Sequence, residues 1–151
     1  MVEIDTSGAD ARLTIAGREV RLVHTPDFTQ GLASSLKTGI RALGEEVDGA
    51  LICLGDMPRL TAQHLDRLIA AFAPDEQKSI VVPTVDGKRG NPVLWGRRHF
   101  AAILDLEGDV GARALIGQNA SEVAEVAMED DAALVDIDTT AALDALRGDR
   151  R

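Results

Sequence analysis

The chain has 151 residues, of which 45% are hydrophobic, and a formal net charge of −9. This length suits one globular domain, so we expect residues 1–147 to form a single domain and residues 148–151 a polar tail. The acidic balance argues against a nucleic-acid partner and against an anionic membrane surface, and no run reaches the ~18 to 20 apolar residues of a membrane helix. With a single cysteine and no targeting segment, a cytoplasmic location is expected.

The first third of the chain contains two short alternating runs and one amphipathic stretch. Residues 12–15 and 20–23 both alternate as strands do. Ser34 or Ser35 can cap a helix whose apolar residues fall on one face and which ends before Gly44.

Residues 51–58 are the most informative stretch, because an apolar run there ends abruptly in a carboxylate. Four apolar residues, a glycine and then Asp56 predict a strand buried on both faces, with Cys53 packed inside it. Open α/β folds bind their ligands just beyond the carboxyl ends of such strands, so Asp56 is the first candidate for chemistry. The alternative is that Asp56 caps the next helix, although Thr61 can fill that role itself.

The rest of the chain continues the alternation of helices and strands. A stripe of apolar residues after Thr61 predicts a helix closed by Pro74. The later predicted elements, in chain order, are a buried strand at 80–82, a turn-rich loop at 86–90, a strand at 91–95, helices at 98–104 and 109–118, a weak strand around 123–126, a strand at 134–137 and a helix at 140–146. This order predicts an α/β fold with a mostly parallel sheet covered by helices.

The segment at 89–92 is a second candidate for ligand binding. Gly90 lets the backbone approach a ligand closely, and Arg89 offers a positive charge for an anionic group. Asn91, which precedes Pro92, offers both a hydrogen-bond donor and an acceptor. A hairpin turn explains the same residues equally well, so both interpretations stay open.

Two further segments carry acids. Asp109 precedes a helix whose N-terminus favours anions, so it either contacts a ligand or, more simply, caps the helix. At 135–138 the alternation places Asp136 and Asp138 on one face, ~6 to 7 Å apart along a strand. Two such acids suit a hard cation such as Mg²⁺, while the alternative is a solvated edge before a helix cap.

The order and spacing of four segments are specific. These segments are Gly-Asp-Met-Pro at 55–58, Arg-Gly-Asn-Pro-Val-Leu at 89–94, Gly-Asp-Val-Gly-Ala-Arg at 108–113 and Asp-Ile-Asp-Thr at 136–139. Together with residues 26–36, they resemble the molybdenum-cofactor nucleotidyltransferases, the MobA-like family, and most closely its CTP:molybdopterin cytidylyltransferase branch. The resemblance runs from about residue 23 to residue 146. It implies a Rossmann-like three-layer sandwich that transfers CMP from CTP to the phosphate of molybdopterin and releases pyrophosphate.

The same resemblance implies roles for particular residues. Asp56 would be the catalytic residue and a Mg²⁺ ligand, and one of Asp136 and Asp138 would complete the metal site. Substrate binding is implied for Gly55, Arg89, Gly90, Asn91, Pro92, Asp109 and Ser35. Mg²⁺ is the implied cofactor, and CTP and molybdopterin are the implied substrates. The three histidines, His24, His64 and His99, lie in no motif and are interpreted as surface or packing residues.

The opening of the chain departs from that family. The family begins with a strand and a glycine-rich loop that cradles the triphosphate, and residues 1–17 show no such pattern. We therefore expect the first βα unit to be missing. A partner chain that supplies the loop, or self-association, would then cover the open sheet edge. The alternative function is a non-catalytic module that binds molybdopterin or a nucleotide and works with a partner chain.

Overall fold

The structure is a computed structural model that describes residues 2–5, 21–25, 32–106 and 112–137. The chain divides into two compact units, one within residues 1–50 and 97–120 and the other within residues 51–96 and 121–151. Several expectations lie outside the described residues: the run at 12–15, Asp109, Asp138, the helix at 140–146 and the tail at 148–151. Within the described ranges, no helix is both long enough and apolar enough to cross a membrane.

The described residues form seven strands and four α-helices. In chain order they are β1 (Val2–Asp5), β2 (Arg21–His24), α1 (Leu32–Arg41), β3 (Gly49–Ile52), α2 (Ala62–Ala70), β4 (Ile80–Val85), β5 (Lys88–Arg89), β6 (Val93–Gly96), α3 (Phe100–Leu104), α4 (Arg113–Gln118) and β7 (Val123–Ala127). Short 3-10 turns lie at Pro74–Glu76, Arg97–His99 and Ala120–Glu122.

The first unit is built on a parallel strand pair. β1 and β2 run side by side, with Val2 opposite Arg21 and Asp5 opposite His24. β2 confirms the expected strand at 20–23 with a shift of one residue, while β1 lies where no strand was expected. Val-Glu-Ile-Asp at 2–5 alternates apolar and acidic residues as a strand does, so the signal was present in the sequence, and β1 finds its hydrogen-bond partners in β2.

α1 packs against β1 and α3 in the same unit. Leu36 and Ile40 on α1 are buried, as the helical spacing predicts. The expected cap is wrong, however, because α1 begins at Leu32 and places Ser34 and Ser35 inside its first turn.

β4 is the centre of the sheet in the second unit. β7 pairs with it in parallel along one edge, and β5 and β6 pair with it in antiparallel fashion along the other. β3 lies next to β6. The predicted α/β architecture is confirmed, with a sheet that combines parallel and antiparallel pairs. Because β4 has a neighbour on both edges and α2 against it, its residues 80–84 are all buried.

The core of this unit joins α2 to the sheet. Leu68 of α2, Val81 of β4 and Leu94 of β6 form a buried cluster against which Phe72 and Val126 pack. α2 confirms the helix predicted after Thr61, which occupies the N-cap position. Its apolar stripe is incomplete, since Ile69 keeps 54% of its surface exposed.

β4 and β5 are joined by a two-residue turn at Asp86 and Gly87. Thr84 lies opposite Arg89, and the turn residues have φ values of 49° and 76°. Both angles are left-handed, as a type I′ hairpin requires, and Asp-Gly is a favoured sequence for it. The turn-rich loop predicted at 86–90 is therefore confirmed, but the hairpin turn lies at 86–87 rather than at 89–92, since Arg89 is already a residue of β5.

Two expected features of the second unit are wrong. β3 ends at Ile52 and is half-buried rather than buried, so Cys53 falls beyond the strand and is exposed. Residues 134–137 form no strand, because their backbone bonds go elsewhere: the N–H of Leu134 donates to Asp131 O. The side chains nevertheless alternate in burial as predicted, since residues 135 and 137 are half-buried and residue 136 is exposed.

Candidate functional site

Asp56 lies in the turn that follows β3, and its side chain is exposed. Met57 behind it is buried with 7% of its surface accessible, which anchors the turn to the protein. A Cβ added to Gly55 would meet no atom of the described residues within 4 Å. The carboxylate of Asp56 is therefore accessible, and the space beside the preceding residue is open to a ligand.

A backbone hydrogen bond connects the Asp56 turn to the second acidic segment. The N–H of Ile137 donates to the carbonyl oxygen of Asp56 at 2.9 Å. Asp136 is the neighbour of Ile137 and is exposed. Two of the predicted metal ligands thus lie on adjoining segments of the chain, while Asp138 lies outside the described residues.

The end of the hairpin meets the turn at 131–134. The N–H of Asn91 donates to Ala133 O at 2.9 Å. A Cβ on Gly90 would lie 2.1 Å from that same oxygen, so no side chain fits there. Packing within the chain is sufficient to require glycine at this position. A contact between Gly90 and a substrate stays a prediction.

Arg89 has an acidic partner in the sheet. Its Nε donates to Glu125 Oε1 at 2.7 Å, and the two side chains are 41% and 48% exposed. Glu125 belongs to β7, so the pair spans from the hairpin to the opposite edge strand. A phosphate that binds Arg89 would have to compete with this carboxylate.

The remaining predicted substrate residues have varied surroundings. Asn91 is half-buried and Pro92 is buried, and the peptide bond between them is cis. Ser35 lies half-buried on α1, in the first unit. The described backbone therefore attaches the turn of Gly55 and Asp56 and the segment of Gly90 and Asn91 to one stretch, residues 131–137, which also carries Asp136.

A row of ion pairs that the motifs did not indicate lies beside this segment. Arg59 Nη1 is 2.8 Å from Asp131 Oδ1 and 3.0 Å from Oδ2. Arg67 Nη1 is 3.1 Å from Glu129 Oε1, and its Nη2 donates to Ala127 O at 2.8 Å. In the sequence, the signal that could have indicated these pairs is the run of three acids at 129–131. In the structure these acids face basic side chains of another segment as well as solvent.

His64 takes part in the same row, which corrects its interpretation as a residue with only a surface or packing role. Its Nδ1 accepts the N–H of Thr61 at 3.2 Å, and its Nε2 lies 3.3 Å from Asp130 Oδ2. Because Nδ1 is an acceptor, the ring proton is on Nε2 and faces the carboxylate. His64 therefore connects the start of α2 to the acidic run.

The described side chains offer carboxylate ligands but no closed metal site. Among them, no group of three or more His, Cys, Asp and Glu residues could hold a metal ion. Asp56 and Asp136 provide two exposed carboxylates on adjoining segments. Mg²⁺ is usually bound by one or two carboxylates together with substrate phosphates and waters. The donor set therefore fits a metal–phosphate complex rather than a metal held by protein alone.

The fold and this arrangement of motifs define a nucleotidyltransferase-like domain. The model of the MobA-like NTP transferase domain family matches residues 5–123. This match covers most of the chain, which belongs to that family.

Two relatives show the range of similarity. Over 125 residues the chain is 35% identical to the purine catabolism protein PucB of Bacillus subtilis (strain 168), covering 80% of this chain and 58% of PucB. It thus spans little more than half the length of that relative. A homologue of Rv0371c from Mycobacterium sp. strain JC1 has a similar structure, with 27% identity, a TM-score of 0.75 and coverage of 98% of this chain and 73% of the other.

More distant solved structures share the fold. A nucleotidyl transferase from Methanothermobacter (Mth528) has a TM-score of 0.80 at 18% identity, with coverage of 98% of this chain and 71% of the other. Rv0371c from Mycobacterium tuberculosis H37Rv in complex with manganese has a TM-score of 0.69 at 23% identity, with coverage of 96% and 75%. At these identities the likeness is one of fold.

Proposed function

We propose that this chain acts in molybdenum cofactor biosynthesis as a divalent-metal-dependent nucleotidyltransferase, which transfers CMP from CTP to the phosphate of molybdopterin. The observation that carries the proposal is the hydrogen bond from Ile137 to Asp56, which holds two acidic segments of the family pattern side by side. The proposal includes a cytoplasmic location for the reaction.

The reaction asks the protein chiefly to position two anions. An oxygen of the molybdopterin phosphate attacks the α-phosphorus of CTP, the bond to the β-phosphate oxygen breaks, and pyrophosphate leaves with that electron pair. No protein nucleophile is needed. When bound, Mg²⁺ would neutralise charge on the α-phosphate and on the departing pyrophosphate.

Residues of the second unit would share the task of positioning. Asp56, with Asp136 or Asp138, would hold the metal, and the open space beside Gly55 would admit the nucleotide. Asn91 would orient the acceptor. Its backbone is already fixed by the hydrogen bond to Ala133, so little order has to be gained on binding.

Similar proteins support the choice of metal and of probe. Rv0371c forms a complex with manganese, and Mn²⁺ has the same preference for oxygen ligands as Mg²⁺. Mn²⁺ is also paramagnetic, so its binding can be followed directly. The preference for CTP over GTP depends on the likeness of residues 55–58 and 136–139 to the cytidylyl branch.

A transfer assay tests the proposal. The chain is incubated with CTP or GTP labelled at the α-phosphate, Mg²⁺ and molybdopterin, with and without a fragment that carries the glycine-rich strand, loop and helix of a relative. We expect labelled molybdopterin and pyrophosphate with CTP, and a loss of about 100-fold in Asp56→Asn, the size expected when a preorganised charge is removed from a transition state. Asp66→Asn, an exposed acid on α2, is the matched control.

The alternative function has a distinct outcome. A binding module would retain molybdopterin in equilibrium dialysis but release no pyrophosphate under either condition. Failure of both binding and transfer would contradict the proposed function altogether.

A further inference from the structure

We propose that Arg59 and Asp131 are positioning residues of the metal–phosphate site. Their ion pair would hold the segment that carries Asp136 against the turn that carries Asp56, and would thereby set the affinity of the site for a divalent metal. The inference deepens the proposed function and rests on it for the identity of the site.

The geometry connects the two acidic segments at a second point. Arg59 follows Asp56 by three residues, and Asp131 precedes Asp136 by five. One nitrogen of Arg59 contacts both carboxylate oxygens of Asp131, at 2.8 and 3.0 Å. The hydrogen bond from Ile137 to Asp56 is the first connection between residues 56–59 and residues 131–137, and the ion pair is the second. The two segments and these two connections form a closed ring.

The neighbouring pairs make this connection part of a network. His64 faces Asp130, and Arg67 faces Glu129, so three consecutive acids each meet a cation or a ring N–H from residues 59–67. An isolated exposed ion pair contributes little, because solvent screens it and two side chains lose freedom. Because three pairs act on residues 129–131 at once, together they restrict the movement of this segment more than one pair would. The loss of one pair should therefore have a measurable effect on the position of the segment.

The turn between Asp131 and Asp136 transmits the restraint. The N–H of Ala132 donates to Asp130 Oδ1, and the N–H of Leu134 donates to Asp131 O, both at 2.9 Å. Ala133 O in the same turn accepts the N–H of Asn91. A shift of this turn would therefore move the segments of Asp136 and of Asn91 together.

The first measurement needs no ligand. Hydrogen exchange by NMR reports on the Ile137 amide, whose only described acceptor is the Asp56 carbonyl oxygen. In Arg59→Ala we expect this exchange to become roughly three- to fivefold faster, which corresponds to a pair worth up to ~1 kcal/mol. Arg59→Asp, which places a second negative charge beside Asp131, should make exchange of the Ile137 amide about tenfold faster or more. Exchange at the β4 amides should stay unchanged.

Two rescue variants separate position from general stability. The double variant Arg59→Asp/Asp131→Arg, which swaps the two charges, should return the amide exchange rate of Ile137 to within about twofold of the wild type. Arg59→Lys keeps the positive charge, so its rate should lie between those of the wild type and Arg59→Ala. Lys78→Ala is the matched control, because it removes another exposed ion pair, with Glu76 at 3.0 Å, outside the ring.

The second measurement is Mn²⁺ affinity by paramagnetic resonance. We expect it to fall several-fold in Arg59→Ala, to recover in the exchanged pair, and to be unchanged in Lys78→Ala, while Tm moves by no more than a few degrees in all of them. Unchanged Ile137 exchange in Arg59→Asp would overturn the inference. Faster exchange with unchanged Mn²⁺ affinity would also overturn it, since the ion pair would then be structural only.

Failure of the proposed function would give a different result in the Mn²⁺ measurement from failure of this inference. A wild-type chain that binds no Mn²⁺ would contradict the metal site itself, and the ion pair's effect on the segment would then be decided by Ile137 exchange alone.

Discussion

The N–H of Ile137 and the carbonyl oxygen of Asp56 are joined by a 2.9 Å hydrogen bond, which places the segment that carries Asp136 beside the turn that carries Asp56. The bond uses backbone groups only, so substitution of either neighbouring carboxylate leaves it intact. Charge and position at this site can therefore be changed separately, which makes the roles of Asp56 and Arg59 testable one at a time.

Replacement of Asp56 by Asn should weaken Mn²⁺ binding by at least about tenfold, because an anionic metal ligand is lost. The side chain is exposed, so the free energy of unfolding should change by less than ~0.5 kcal/mol. Mn²⁺ titration and urea unfolding measure the two quantities, with Asp66→Asn as control. A large loss of stability at unchanged Mn²⁺ affinity would mark Asp56 as structural.

Local signals predicted the turn within 86–90 and α2 correctly. The Asp86-Gly87 turn has the sequence that left-handed backbone angles favour, and the helix after Thr61 has its cap and its buried Leu68 within two turns of chain. Such features depend on neighbours in sequence. They can be predicted without knowledge of which segments meet in space.

Replacement of Gly90 by Ala should destabilise the second unit by ~1 to 3 kcal/mol. The new methyl group would lie 2.1 Å from a backbone oxygen of Ala133, so the turn at 131–134 would have to move. Urea unfolding measures the loss. The control is Gly117→Ala, where a Cβ meets no described atom within 4 Å and helix propensity favours alanine. Equal stability of the two variants would show that the close approach to Ala133 does not constrain the fold.

Replacement of Gly55 by Ala should separate ligand binding from stability. In the part of the chain that the structure describes, no atom lies within 4 Å of the added Cβ, so the free energy of unfolding should change by less than ~0.5 kcal/mol. If the nucleotide occupies this open space, CTP affinity in the presence of Mn²⁺ should fall by about tenfold, or ~1.4 kcal/mol. Calorimetric titration measures this affinity for CTP. An unchanged CTP affinity would place the nucleotide away from Gly55.

Features that depend on distant contacts were predicted less well. Alternation at 134–137 indicated a strand, but the N–H of Ile137 bonds to Asp56 and the N–H of Leu134 to Asp131, so no ladder forms. The run at 51–54 indicated a buried strand, but β3 ends at Ile52. The pairing of Arg59 with Asp131 joins residues from separate parts of the chain, and neither residue belongs to a motif that would have indicated it.

Cys53 gives a prediction that depends on pH. The side chain is exposed, yet partial burial of the sulfur among protein atoms raises the pKa of its thiol above the ordinary value. The thiolate is the nucleophile, so alkylation of folded Cys53 by iodoacetamide should reach half its maximal rate at a higher pH than alkylation of the urea-unfolded chain.

The same pKa shift has a definite sign for stability. A raised pKa in the folded state means that folding favours the neutral thiol. This contribution is fully present below the ordinary thiol pKa and is lost as the pH rises through the raised value. Wild type should therefore lose stability relative to Cys53→Ser between neutral and strongly alkaline pH, as urea unfolding at several pH values can measure. A parallel pH dependence of the two proteins, together with an alkylation midpoint equal to that of the unfolded chain, would contradict the raised pKa.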